Sequence, residues 1–279
     1  MTPLVWAFTL LAMLAFSANS LLARAAFSTT TIDPASFTAI RLAAGALTLF
    51  VILRCQGGKP TSLKAGGWSA FMLFVYAAAF SFAYRDISTG AGALVLFASA
   101  QLLMISYGLF KGERASILGL LCALGGLAAF LAPSASAPPV SAAALMAVAG
   151  FAWGAFSLLG RSQGAPIVST TSSFIWALPL VAVLILTQLP HLNTDAFGVT
   201  YALLSGCVAS GLGYAVWYWV RVRMTAIGAG AVQLSVPVIS ALMGLALLDE
   251  SMSVQSAVAA LVTLGGVAWV TLTIRRPER

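Results

Sequence analysis

The side chains in this chain that can do chemistry are polar and aromatic residues set inside long apolar stretches, where each needs a partner, water or a ligand. Tyr76, Phe80 and Tyr84 recur every four residues and share one face of a helix. Tyr214, Trp217 and Tyr218 follow the i, i+3, i+4 spacing. Asn19 and Ser20, Gln101, Trp153 with Ser157, and Gln233 stand in other apolar stretches. Rings beside a few neutral amides and hydroxyls suit non-covalent binding of a zwitterionic or amphipathic small molecule: the rings cover its apolar part and the amides fix its head group. The candidate substrate-binding set is therefore Asn19, Ser20, Tyr76, Phe80, Gln101, Trp153, Ser157, Tyr214, Trp217 and Gln233. Aromatics near the ends of such stretches also form interfacial belts, the reading preferred for Tyr84, Trp68, Trp6 and Trp219. Gln101 and Gln233 are equally suited to bonding neighbouring helices.

Bond-making chemistry has little to work with. The seven Asp and Glu residues sit at loops or segment ends, and the single histidine, His191, follows Pro190 in a connection. Cys55, Cys122 and Cys207 are far apart and read as packing residues. With no paired acids, no H-E-x-x-H and no metal-ligand spacing, no catalytic residue, metal or cofactor is assigned. An intramembrane enzyme or a receptor is the alternative from another class, and a channel would want a ring of like polar groups. Arg41 is the one charge well inside an apolar stretch. It lies about 10 Å along a helix that starts at Pro34, and a central Arg costs about 2.5–3.5 kcal/mol on insertion scales. It could hold a substrate carboxylate; snorkelling to the interface or local pairing is the preferred expectation.

The elements that must position these residues follow from composition. Of 279 residues, 61% are hydrophobic and 8% charged, and the mean hydropathy is +1.00. A soluble domain carries roughly 25% charged residues, so the fold expected is an all-α integral membrane protein whose main partner is the lipid bilayer. Ten apolar segments run near 4–24, 34–53, 67–84, 89–110, 115–132, 139–160, 166–189, 197–220, 225–248 and 253–274. They are continuous, without the alternation of a barrel wall. The net charge of +7 comes from single or paired basic residues between the segments, which excludes a nucleic-acid partner. With ten spans, eleven Lys and Arg fall on the side of both termini and two, Arg24 and Arg85, on the other. The positive-inside rule then predicts cytoplasmic termini in a bacterial inner membrane. The first span resembles a signal peptide, but it lacks a basic n-region and is read as part of the fold.

The chain also resembles itself. Ser20-Leu21-Leu22-Ala23-Arg24 returns as Ser157-Leu158-Leu159-Gly160-Arg161, Gly90-Ala91-Gly92-Ala93 as Gly228-Ala229-Gly230-Ala231, and Glu113 as Glu250, at offsets of 137, 138 and 137. Gly125-Gly126 and Gly265-Gly266 correspond after a small indel, and with Gly206 and Ser210 they read as close-packing positions. Five spans per half is an odd number, so the second half enters the membrane inverted. This predicts two inverted five-helix repeats, 1–135 and 136–279, around a central cavity, joined by a connector over Pro133-Ser134-Ala135-Ser136-Ala137-Pro138-Pro139. Both repeats lie in one chain, which leaves a functional monomer open.

Five plus five helices, with Gly228-Ala229-Gly230-Ala231, Pro237, Leu247-Leu248-Asp249-Glu250-Ser251 and Gly265-Gly266 in order, resemble the EamA-type repeat of the drug/metabolite transporter superfamily. The likeness spans essentially the whole chain and is best in its last third. Ala100 stands near the position that Pro237 occupies in the second repeat, so a bend there needs another cause. Within the superfamily the chain looks most like the YddG-type aromatic amino-acid exporters. The resemblance implies efflux of small metabolites through a cavity lined chiefly by spans 1, 3, 4, 6, 8 and 9. The multidrug antiporters that look like distant members use a membrane-embedded glutamate. This chain has no counterpart, which disfavours cationic drug/proton antiport. Amino acids, aromatic or apolar ones included, are the expected substrates, with drugs, nucleobases or sugars as the alternative.

Overall fold

A computed structural model describes residues 2–87, 89–114, 116–131, 139–159, 166–247 and 254–273. Among these residues the regular elements are helices: α1 (Pro3–Thr29), α2 (Pro34–Cys55), α3 (Leu63–Tyr84), α4 (Thr89–Phe110), α5 (Ile117–Leu131), α6 (Val140–Leu159), α7 (Pro166–Gln188), α8 (Ala196–Leu204), α9 (Gly213–Arg221), α10 (Ala226–Gln233), α11 (Ser235–Leu247) and α12 (Val254–Thr273). Proline opens α1, α2 and α7 at Pro3, Pro34 and Pro166, where the missing N–H has no intrahelical acceptor to lose. Asp33 accepts the N–H groups of Ala35 and Ser36, both at 2.9 Å, and Thr225 accepts that of Gly228 at 3.0 Å; these caps fix the entries to α2 and α10.

Two expected spans are subdivided. Helical structure is continuous over Ala196–Arg221, but Ser205–Leu212 is wound as a π-helix between α8 and α9. Hydropathy does not report a change of winding. The ninth segment breaks at Leu234, between α10 and α11. Pro237 explains the break, because it has no N–H for the Gln233 carbonyl and its ring crowds that oxygen. The α4 helix, with Ala100 in the corresponding place, runs unbroken. Most of the connector, together with Gly160, Arg161, Asp249, Glu250 and the last three arginines, lies outside the described residues.

Polarity is distributed inside out. Phe110, Val140, Leu272, Phe197 and Trp68 are from 72% to 88% exposed, while Ser17, Thr38, Arg41, Gln101, Ser157, Ser173 and Gln233 are at most 1% exposed. An apolar exterior over a polar interior is the arrangement hydrocarbon solvent selects. Among the described residues, six helical stretches are long and apolar enough to cross a membrane, and four shorter apolar ones, Val95–Phe110, Ile117–Gly126, Ala226–Ser240 and Ala257–Val270, accompany them. The protein is a multi-pass membrane protein.

Hydroxyls join the interior helices: Thr38 Oγ1 donates to Ser81 Oγ at 2.8 Å between α2 and α3, and Ser173 Oγ to Ser69 Oγ at 2.9 Å between α7 and α3. The α3 and α4 helices pack on α6, α2 on α7 and on the π-helical segment, α1 on α9 and α11, α4 on α10, and α5 on α12. The α5–α12 contact runs along Gly126 and Gly266; a methyl on Gly126 would stand 2.7 Å from the Thr263 backbone nitrogen. Gly125 and Gly265 instead face open space. On one side of the bundle, buried Glu113 after α4 accepts the N–H groups of Ala226 and Ile227 at 2.8 and 2.9 Å, at the positive end of α10.

On the other side two aspartates tie the halves of the chain together. Asp33 Oδ2 accepts the Asn193 N–H at 2.8 Å. Asp195 accepts the N–H groups of Gly198 at 2.9 Å and Thr31 at 2.8 Å. The Gly198 and Thr31 N–H groups hold the Asp195 carboxyl below its ordinary value. A lowered folded-state value means that the stabilisation is complete above the ordinary carboxylate pKa and is lost as pH falls through the lowered one. In detergent, Asp195→Asn is therefore expected to melt below the wild type at neutral pH, and the gap should narrow across that acidic window. A gap unchanged with pH would contradict the assignment.

Candidate substrate-binding site

A narrow cavity opens between α1, α3, α4 and α6. Its wall is Phe16, Asn19 and Ser20 from α1, Tyr76, Phe80 and Tyr84 from α3, Leu96 and Phe97 from α4, and Trp153 from α6. The four-residue spacing on α3 stacks its three rings along the cavity; the Tyr76 and Phe80 centroids are 5.7 Å apart, those of Phe80 and Tyr84 4.6 Å. Phe16 stands 5.1 Å from Trp153 in an edge-to-face contact. The polar residues of the wall are Asn19, Ser20 and the two tyrosines. Asn19 Oδ1 accepts from Ser205 Oγ at 2.5 Å, at the first residue of the π-helical segment.

Five of the ten residues expected from sequence line this cavity: Asn19, Ser20, Tyr76, Phe80 and Trp153. The other five do not line it. Tyr214 packs on Trp153 with centroids 5.2 Å apart, and Trp217 on Phe16 at 5.7 Å. Gln233 accepts the indole N–H of Trp153 and donates its amide to the Ala229 carbonyl at 3.0 Å. Gln101 sits against Gly230 of α10, and Ser157 lies one turn beyond Trp153 on α6. Both amide atoms of Gln101, Ser157 Oγ and the Trp217 indole nitrogen are buried without a hydrogen-bond partner.

Several expectations are corrected. Tyr84 also lines the cavity wall, because the α3 register carries it onto the Tyr76 face. Trp6 and Trp68 do face outward, at 40% and 72% exposure. Phe16 was missed although it precedes Asn19 and Ser20 by three and four residues, the spacing of a shared face. Leu96 and Phe97 carried no signal in so apolar a helix.

Arg41 does not snorkel: it is 1% exposed. Its Nε donates to Ser210 Oγ at 3.1 Å, and its Nη2 to the hydroxyls of Tyr76 at 3.1 Å and Tyr214 at 3.3 Å. The guanidinium carbon lies 5.2 Å from the Tyr76 ring centroid and 5.3 Å from that of Phe80, within cation–π range. The π-helical winding turns Ser210 toward α2, so the partner that keeps Arg41 inward depends on a feature the sequence did not reveal.

Such a site can bind and orient a small molecule with an apolar body and a polar head. Residues 140–272 match the EamA-like transporter family. The uncharacterized protein PA1977 of Pseudomonas aeruginosa is 50% identical over 266 residues, covering 94% of this chain and 92% of that protein. The second half of the chain carries an EamA-like transporter domain. A more distant relative of this EamA-like chain is the uncharacterized transporter YoaV of Bacillus subtilis, 23% identical over 262 residues that cover 88% of this chain and 89% of YoaV. A crystal structure of another protein superposes with a TM-score of 0.80 over 98% of each chain at 19% identity, so the fold is one seen experimentally. The family places the EamA-like chain among the membrane transporters of the drug/metabolite superfamily.

Proposed function

We propose that this EamA-like chain is a secondary transporter that exports small metabolites, namely amino acids with aromatic or apolar side chains, by alternating access. The observation that carries the reading is the cavity in which Phe16, Tyr76, Phe80 and Trp153 surround Asn19 and Ser20. Its rings suit an apolar side chain, and its neutral polar groups suit a zwitterionic head. The resemblance to YddG-type aromatic exporters points the same way.

Ten transmembrane helices arranged as two inverted repeats, 1–135 and 136–279, supply the moving parts. The packing supports this arrangement: exchanging the halves turns the α3–α6 contact into α1–α9 and the α4–α6 contact into α1–α11, and both kinds are present. Repeats that present like surfaces to opposite sides can exchange conformations, which is the basis of alternating access. The bond between Trp153 and Gln233 then closes one side of the cavity. The unpartnered polar atoms of Gln101, Ser157 and Trp217 acquire water or substrate when that side opens. The positive-inside asymmetry sets both termini in the cytoplasm of a bacterial cell, with the protein in the inner membrane.

The test is uptake of a labelled amino-acid panel into proteoliposomes, compared with empty vesicles. Uptake of aromatic or large apolar members is expected, reduced about tenfold or more in Tyr76→Ala protein shown to be folded and inserted. No uptake of any member by folded, inserted protein overturns the amino-acid reading and directs the search to drugs, nucleobases and sugars.

A further inference from the structure

Among the described residues, the deeply buried cation beside the cavity, Arg41, has no anion. Arg41 is held by three neutral hydroxyls, those of Ser210, Tyr76 and Tyr214, and its Nη1 has no partner. The four described acids are engaged elsewhere. Asp33 caps α2, Asp195 caps α8, Asp86 pairs with Arg85 at 3.3 Å, and Glu113 holds the start of α10. Hydroxyls satisfy donor geometry but do not neutralise a charge, and an ionised group kept inside a membrane protein marks a substrate or ion path. Tyr76 connects Arg41 to the cavity, since its ring lines the wall while its hydroxyl accepts from the guanidinium. Phe80 likewise covers the guanidinium and lines the wall.

We infer that Arg41 is the anion anchor of the transport site, so that the substrate class is small molecules bearing a carboxylate. The inference rests on the transporter reading above. In the bound state the Tyr76 ring swings aside, and the carboxylate takes the free Nη1 and the Nη2 it shares with the two tyrosines. The planar guanidinium fork matches a carboxylate in a way that a lysine ammonium does not. The apolar body then lies against Phe16, Phe80 and Trp153, and the amino group faces Asn19 and Ser20. The uncompensated positive charge disfavours amines that lack a carboxylate, because like charges repel strongly where water is excluded.

The test compares L-phenylalanine, 3-phenylpropionate, L-phenylalaninamide and phenethylamine on the purified full chain. Two readouts are used: competition against labelled phenylalanine uptake in proteoliposomes, and ligand-induced thermal stabilisation in detergent. The wild type is expected to favour the two carboxylates over the amide and the amine by about tenfold or more in half-maximal concentration. Arg41→Gln should erase that preference, with Arg41→Lys retaining part of it. The ligand series on the wild type stands even if the Gln variant does not fold. Equal potency of amide and carboxylate overturns the anchor while leaving amino-acid transport intact. Absence of uptake together with stabilisation by carboxylates alone overturns amino-acid transport and leaves the anchor. Stabilisation by none of the four ligands overturns the anchor.

Discussion

Trp153→Ala is expected to abolish transport and to lower the melting temperature of the purified protein. Trp153 is 4% exposed, and its ring meets those of Phe16, Tyr76, Tyr214 and Phe156 at centroid distances of 5.1, 5.2, 5.2 and 5.9 Å. Truncating a buried Trp costs about 3–5 kcal/mol from lost transfer energy and the cavity left behind. The same change strips one wall of the candidate cavity and leaves Gln233 Oε1 without its donor. Trp153→Phe separates these effects. It keeps a ring against Phe16 and Tyr76 while removing the N–H, so it should recover most of the stability and lose about 1–3 kcal/mol for the unpaired buried amide. If Trp153→Ala retains wild-type uptake at wild-type stability, the cavity between α1 and α6 is not the transport site.

Gly206→Val is expected to prevent folding of the second half onto the first. Gly206 lies in the π-helical segment where it crosses α2. A Cβ there would stand 2.5 Å from the Arg41 carbonyl oxygen, 3.0 Å from the Arg41 Cα and 2.7 Å from the Ala44 Cβ. Two of those atoms are backbone, so no rotamer change relieves the contact and the helices must separate. Overpacking of this kind costs about 1–3 kcal/mol when side chains can shift, and more is expected where main chain meets main chain. The separation would also draw Ser210 and Tyr214 away from Arg41. The measurement is the monodisperse fraction and melting temperature in detergent, with Gly125→Val as the control. Gly125 has open space around it and should tolerate the change. Equal behaviour of the two variants would remove the argument for close approach at Gly206.

Both predictions turn on the π-helical stretch and on one aromatic cluster, and these were unequally legible beforehand. The α3 rings at 76, 80 and 84 could be read as one face from spacing alone, as could Tyr214 with Trp217. Spacing did not tell which way a face points in a helix apolar on every side. Tyr84 therefore looked like a belt residue and Phe16 like any other apolar side chain. The Pro237 break was foreseeable from the missing N–H; the winding over Ser205–Leu212 was not, because no residue there forbids a regular helix. Gly206 and Ser210 of this stretch meet α2 at Arg41.

By itself, the sequence determined the solvent and the class of fold. So few charges over so many apolar residues leave hydrocarbon as the surrounding medium, and apolar runs of bilayer length leave helices as the way to satisfy the backbone. It marked candidate polar groups as well, because polar groups kept in such runs are retained against a transfer cost. The tertiary structure alone decided which of those groups meet. Five of the ten expected residues face one cavity, five do not line it, and Arg41 turns inward instead of snorkelling. Helix rotation decides such questions, and it is set by small-residue contacts and hydroxyl bonds between helices distant in sequence, as Arg41 and Ser210 are. Those terms leave no periodic trace along the chain, and they exist only once the helices have packed.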